Sequence, residues 1–308
     1  MSSNPSSAAL RHTRSLGAPG ALPVPGARIT VSFHPDRPLG DGRTVAEHLV
    51  TDVRYRSQFE TGISNGGLTA YPGGDRERWE HRMFAGAYPP HQAAGRPVYG
   101  GLNLAGHPDG ASPRFGSCYL RLRAQVAARA TFSHGDSVTE PTAVGTADTF
   151  GAIWAALHDE VTRTGKALGV AAATPGEWVA ALGAPRTVAG RALDDYVEAQ
   201  IHGGLALSAD VEAVVADPSF IGTPTADLLA AVAPLHWHPG FVLPAGDFPD
   251  DLRGPDAARL ARALGPALID AAMLGAAARG ASAEKLQLLK YLWHILVLRG
   301  RPRQVSGR

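Results

Sequence analysis

The stretch that most constrains the fold is residues 194–207, DDYVEAQIHGGLAL, in which apolar and polar side chains alternate. A period of two places successive side chains on opposite faces of a β-strand. Every second residue from Val197 to Ile201 is apolar and can pack on a core. The other face carries a phenol, a carboxylate, an amide and an imidazole, which belong to Tyr196, Glu198, Gln200 and His202.

This polar row indicates a ligand cleft, because solvent-facing strands more often carry Lys, Thr or Ser. The four groups together offer hydrogen-bond donors, an acceptor and a titratable base to one ligand. The alternative is a solvated strand face whose polar residues form no site.

Composition indicates a globular protein. The 308 residues are 44% hydrophobic and 19% charged, which is enough to bury a full core. The net charge of +1 gives no support for nucleic-acid or membrane partners. No apolar run reaches the ~18 residues of a spanning helix, and no signal-peptide pattern begins the chain, so a cytoplasmic location is expected. The single Cys118 excludes an internal disulfide and a Cys-based zinc site, and is expected to be buried.

The order of periodic segments predicts an α+β fold with a central mixed or mostly antiparallel sheet and flanking helices. Residues 1–26 are rich in Ser, Pro, Gly and Ala and are expected to form a disordered tail. Residues 27–248 are predicted to be the α+β catalytic domain, with a helical region, 249–308, packed on it. Besides the strand described above, strands are predicted at 28–34, 96–105, 116–123, 129–134 and 211–215, and helices at 44–53, 75–85, 149–164, 225–232, 255–264, 267–279 and 283–298.

Two segments in the first quarter carry candidate binding residues. His34 stands on the polar face at the end of strand 28–34, and Arg37 follows in the turn after Pro35. The segment 55–75 is dense in polar residues and glycine, and its Asn65-Gly66-Gly67 permits a close approach of the backbone to a ligand. A structural histidine and a plain surface hairpin are the alternatives.

Three other groups of residues need an interpretation. In helix 75–85, Arg76, Glu80 and Arg82 are expected to stay solvated while Trp79, Met83 and Phe84 pack. Extended segment 236–238 places two imidazoles on one side, but no third ligand follows at metal spacing, so no metal site is predicted. A stripe on the last helix indicates either core packing or contact with a partner helix, and it consists of Leu286, Leu289, Trp293 and Leu296.

No P-loop, GxGxxG after a strand or HExxH is present, which argues against the commonest nucleotide-binding and metalloprotease classes. At SFHPDR, RYRSQFETGISNGG, RPVYGGLNL, RATFSHGDS and YVEAQIHG, the sequence resembles an uncharacterised bacterial family, domain of unknown function 3626. That resemblance covers nearly all of the chain after residue 26 and implies no activity.

The sequence also resembles the ADP-ribosyltransferase superfamily in three short elements. That superfamily ends its first core strand in Arg or His, as His34 does here. It places a Ser/Thr-containing segment in a middle strand, which Thr61 or Ser64 can match. It carries Glu/Gln-x-Glu on a late strand, where this chain has Glu198-Ala199-Gln200. The order is reversed here, because the carboxylate that grips the ribose is normally the second member of that pair.

The superfamily resemblance implies an NAD-consuming enzyme that cleaves the nicotinamide–ribose bond. A carboxylate on the strand would hold a ribose hydroxyl and stabilise an oxocarbenium-like transition state, with its neighbour two positions away on the same face. The acceptor of ADP-ribose is not specified, and no nucleic acid or membrane is expected. On this reading Glu198, Gln200 and His202 are the catalytic residues, and NAD, the small-molecule dinucleotide, is bound by His34, Arg37, Thr61, Ser64, Asn65 and Tyr196.

Two other functions remain open. One is a hydrolase or lyase with Glu198 as general base beside His202 or His134, or with a metal on His236 and His238. The other is a non-catalytic protein that docks a partner on the stripe of the last helix.

Overall fold

The structure is a computed structural model, and it describes residues 4–62, 68–90, 92–186, 190–265 and 268–303. The strands of these residues are β1 Ile29–Phe33, β2 Arg54–Tyr55, β3 Val98–Leu102, β4 Cys118–Leu122, β5 Ala130–His134, β6 Val144–Thr146, β7 Lys166–Ala167, β8 Val170–Ala171, β9 Val197–Ile201, β10 Leu205–Ala206, β11 Val211–Ala216, β12 Leu235–Trp237, β13 Leu243–Pro244 and β14 Leu268–Ile269. Their α-helices are α1 Pro5–Leu16, α2 Val45–Asp52, α3 Gln58–Thr61, α4 Asp75–Met83, α5 Gly151–Thr164, α6 Pro175–Ala181, α7 Leu207–Asp210, α8 Pro224–Val232, α9 Pro255–Leu264, α10 Ala271–Ala278 and α11 Ala283–Arg299.

The fold is organised around one eight-stranded sheet in the order β12-β11-β4-β1-β3-β9-β5-β6. Strands β11 and β12 pair in parallel, and the other neighbours pair antiparallel, so the sheet is mixed. With its flanking helices and the helical C-terminal region, this architecture confirms the predicted α+β fold class. The strand predicted from the alternating stretch, β9, lies between β3 and β5.

The two faces of β9 meet different surroundings, as the alternation predicts. Val197, Ala199 and Ile201 join the main core, which also contains Trp293 and Leu296 of α11. The C-terminal helices therefore share a core with the sheet, and the apolar stripe of α11 is core packing. A smaller cluster elsewhere in the fold consists of Ala9, Trp79, Met83, Phe84, Tyr88 and Val144.

The expectation of a disordered tail is wrong for Pro5–Leu16, which form helix α1. The Asn4 side chain accepts a hydrogen bond from the Ser6 N–H, and Pro5 occupies the first turn, where its missing N–H costs nothing. Ala9 and Thr13, four residues apart, are buried on one face of the helix. A buried face of only two residues is not recognisable in a segment whose composition is rich in Ser and Pro.

In helix α4, the exposure of the charged side chains differs from the expectation. Arg76 and Glu80 are buried, whereas Arg82 is exposed as expected. Glu80 can be buried because the Arg96 guanidinium lies 2.7 Å from its carboxylate and 2.5 Å from that of Glu77. A buried charge is tolerable when a partner of opposite sign meets it. Local periodicity cannot show such a partner when it comes from another segment.

Cys118 is buried in β4, as expected. Thr44 and Glu47 form a reciprocal capping box at the start of α2. Among the helices that the structure describes, none is long and apolar enough to cross a membrane.

Candidate active site

A large cavity, the main cavity, opens where β1 and β3 part. These strands pair through Ile29–Leu102 and Thr30–Gly101, and their other ends, at Ser32–Phe33 and Val98–Gly100, line the cavity. Gly100 permits the close approach beside the opening, because a Cβ there would lie 2.6 Å from the Thr30 carbonyl oxygen. The empty volume is about 1030 Å³, including the part open to solvent.

Five of the residues predicted to form the site line this cavity. His34 and Arg37 come from the end of β1 and the turn after it, and Thr61 comes from α3. Tyr196 and Glu198 come from the start of β9. The sheet thus brings together side chains that are up to 164 positions apart, between His34 and Glu198. Two other predicted residues, Ser64 and Asn65, lie outside the described residues.

The Glu198 carboxylate is buried and held by several donors. Its Oε2 accepts from the Ser137 N–H and hydroxyl, each at 3.2 Å, and from the Tyr196 hydroxyl at 3.4 Å. Its Oε1 accepts from the Gln200 amide at 3.0 Å. A carboxylate oxygen has two lone pairs and can accept two hydrogen bonds. Among the described residues, Gln200 donates one to Oε1, so this oxygen can still accept a hydrogen bond from a ligand hydroxyl. The carboxylate is fixed in one orientation and keeps one acceptor site.

Burial and two charged neighbours that also line the cavity, Arg76 and Asp136, affect the ionisation of Glu198. Burial raises the pKa of Glu198; Arg76 opposes this shift, and Asp136 adds to it. Arg76 reaches Glu198 through Ser137, because its Nη1 donates to the Ser137 Oγ at 2.5 Å. The guanidinium carbon lies 4.1 Å from the centre of the Tyr99 ring, a cation–π contact that helps a buried arginine retain its charge.

His34, which also lines the cavity, is held as a neutral imidazole. Burial, together with the positive charges of Arg37 and Lys290, lowers its pKa to about 3. Its ring packs edge-on against Trp293 of α11, with centroids 5.2 Å apart. Near neutral pH it can therefore donate one hydrogen bond and accept another without carrying charge.

Gln200 and His202 lie deeper than the cavity wall. Gln200 accepts from the Thr131 hydroxyl at 2.7 Å and donates to Glu198, so it orients that carboxylate. His202 lies 2.5 Å from the Tyr88 hydroxyl and 3.0 Å from that of Thr131, and burial lowers its pKa to about 3. Neither belongs to the described residues that line the cavity. Both therefore support the site indirectly, through hydrogen bonds to neighbouring side chains.

The alternative acid–base pairs find little geometric support. His134 sits opposite Val197 in the register, on the face away from Glu198, and contacts Glu160 at 2.9 Å. Both ring nitrogens of His238 have backbone partners, the Ser117 carbonyl at 2.9 Å and the Gly240 N–H at 3.0 Å. Across the described ranges, no group of three or more His, Cys, Asp or Glu side chains could hold a metal ion.

Sequence reasoning missed four residues of the site. Ser137 and Asp136 follow β5 and reach Glu198 because β5 is its neighbour in the sheet. Tyr99 arrives on β3, the neighbour on the other side, where it pairs with Gln200. Arg76 was expected in solvent. Strand order places Ser137, Asp136 and Tyr99 at the site, and these residues lie in the segments RATFSHGDS and RPVYGGLNL of the family resemblance.

A comparison with protein families identifies the family of this chain. Residues 28–299 match the family described as protein of unknown function DUF3626, and the chain belongs to that family. A comparison with curated proteins finds no match.

Proposed function

We propose that this member of the DUF3626 family is an NAD-consuming enzyme of ADP-ribosyltransferase type. It cleaves the nicotinamide–ribose bond and transfers ADP-ribose to an acceptor or to water. The observation that carries the proposal is the convergence of His34, Arg37, Thr61, Tyr196 and Glu198 on one cavity. The resemblance to ADP-ribosyltransferases implies roles in catalysis or NAD binding for these same five residues.

Glu198 has the environment that this reaction needs. When nicotinamide leaves as a neutral base with the electron pair of the broken bond, positive charge develops on the ribose ring. A carboxylate that is already oriented stabilises this charge without reorganising during the reaction. Donors from Ser137, Tyr196 and Gln200 provide the orientation. An acceptor nucleophile then attacks the ribose carbon and loses its proton to solvent.

The other residues take binding and positioning roles. Neutral His34 and the Arg37 guanidinium hold the part of the dinucleotide distant from the reacting carbon, and Thr61 lies on the wall formed by α3. Gln200 acts through Glu198 as a positioning residue. His202 supports this layer through Thr131, which contacts both His202 and Gln200.

The test is nicotinamide release from NAD, followed by chromatography, for the wild type and E198Q. We expect E198Q to release nicotinamide about 10²–10³-fold more slowly, the usual cost of removing one preorganised electrostatic group. The matched control is E284Q, because Glu284 is exposed in the first turn of α11, away from the cavity. Folded E198Q that releases nicotinamide as fast as the wild type would remove Glu198 from the chemistry.

A further inference from the structure

A second cavity lies beside the first. Its empty volume is about 500 Å³, including the part open to solvent, and His34 and Arg37 line both cavities. Helices α10 and α11 provide an apolar wall, to which Leu274 and Leu289 belong. A ligand bound in the main cavity and a group bound in the second cavity can therefore contact the same two side chains.

Cationic side chains dominate the polar lining of the second cavity. Arg37, Arg114 and Lys290 all line it. Burial lowers the pKa of Lys290, and the like charges of Arg114, Arg37 and Arg253 lower it further. Such mutual repulsion is relieved when an anion binds among the cations.

Carboxyl groups lie close to these cations. Arg114 forms an ion pair with Asp194 and lies 3.5 Å from the Asp136 carboxylate. Asp36 is the carboxyl group in the described wall, and burial raises its pKa to about 7 although Arg279 opposes the shift. Asp36 is therefore only partly ionised near neutral pH, so its own negative charge offsets only part of the positive charge on this wall.

We propose that the second cavity is an anion subsite that binds a phosphate group at Arg37, Arg114 and Lys290. Guanidinium groups offer paired N–H donors that match phosphate oxygens, and an ammonium adds a compact charge. The phosphate belongs either to the dinucleotide in the main cavity or to the acceptor. The identity of those two ligands rests on the proposed function, whereas the anion subsite itself does not.

The test is titration calorimetry with inorganic pyrophosphate as the probe, at low ionic strength. We expect saturable binding to the wild type, weakened about tenfold or more in K290Q, as for loss of one hydrogen bond to a charged group. K290R should retain binding because it keeps the charge. K285Q is the matched control, since Lys285 is exposed on the same helix. Absence of binding to the wild type, or equal binding to K290Q and K285Q, would overturn the proposal.

Titration in the presence of NAD then identifies the source of the phosphate. Competition between pyrophosphate and NAD assigns the subsite to the dinucleotide's own diphosphate, and simultaneous binding assigns it to a phosphate-bearing acceptor. Lys290-dependent pyrophosphate binding by a protein that releases no nicotinamide would keep the subsite and remove the NAD chemistry, so the two proposals fail separately.

Discussion

At the scale of residues, the fold holds the Glu198 carboxylate where ionisation is unfavourable. Burial raises its pKa, so the folded protein binds this proton more tightly than the unfolded chain does. The free energy of unfolding therefore falls as the pH rises above the ordinary glutamate value of about 4.3. We expect E198Q to be at least as stable as the wild type at pH 7, with any gain shrinking towards pH 5, as measured by thermal unfolding.

A markedly lower melting temperature of E198Q at pH 7 would contradict this account. It would mean that the hydrogen bonds from Ser137 and Tyr196 to the ionised carboxylate outweigh the cost of burying the charge.

Arg76 tunes the same carboxylate. Its charge lowers the pKa of Glu198, so R76Q should raise that pKa and move the acid limb of kcat/KM for nicotinamide release to higher pH. The measurement is a pH–rate profile of R76Q beside R78Q. Arg78 is exposed on the same helix, so R78Q is expected to keep the wild-type profile. An unshifted limb in folded R76Q would show that Arg76 does not set the charge of Glu198.

At the scale of elements, helix α10 packs on the chain just after β1 through Gly275. A Cβ on this residue would lie 1.3 Å from the Asp36 carboxylate oxygen. Ala ordinarily stabilises a helix interior by about 1 kcal/mol over Gly, but here we expect G275A to lower the melting temperature because either α10 or the buried Asp36 side chain must move.

The double variant G275A/D36A should recover most of that loss, since it removes the atoms in conflict. If G275A alone proves as stable as the wild type, the close packing of α10 on Asp36 is wrong.

Helix α1 offers a second prediction at this scale. Asn4 caps the helix, and N4A should cost about 1 kcal/mol of stability. A9E should cost more, because Ala9 is buried against the cluster that contains Trp79 and Phe84. R11E, on an exposed position of the same helix, is the control in denaturant unfolding. Equal stability of A9E and R11E would mean that α1 does not pack on the body of the protein.

At the scale of the whole molecule, local patterns predicted more of the fold than of the site. Alternation identified β9, and the order of periodic segments identified α2, α4, α5 and α11 within a few residues. The pairing of β9 with β3 and β5 depends on contacts between segments up to about 100 positions apart, such as Val98 with Ile201. No local period encodes that pairing, so Ser137, Tyr99 and the burial of Arg76 could not be predicted.

The central claim is that the main cavity binds NAD between His34 and Glu198. Titration calorimetry with NAD tests it most directly, because binding does not require the acceptor. We predict saturable binding of one NAD per chain to the wild type, and binding weakened about tenfold in H34A, as for loss of a buried hydrogen bond. A folded wild-type protein that shows no binding at millimolar NAD would contradict the claim.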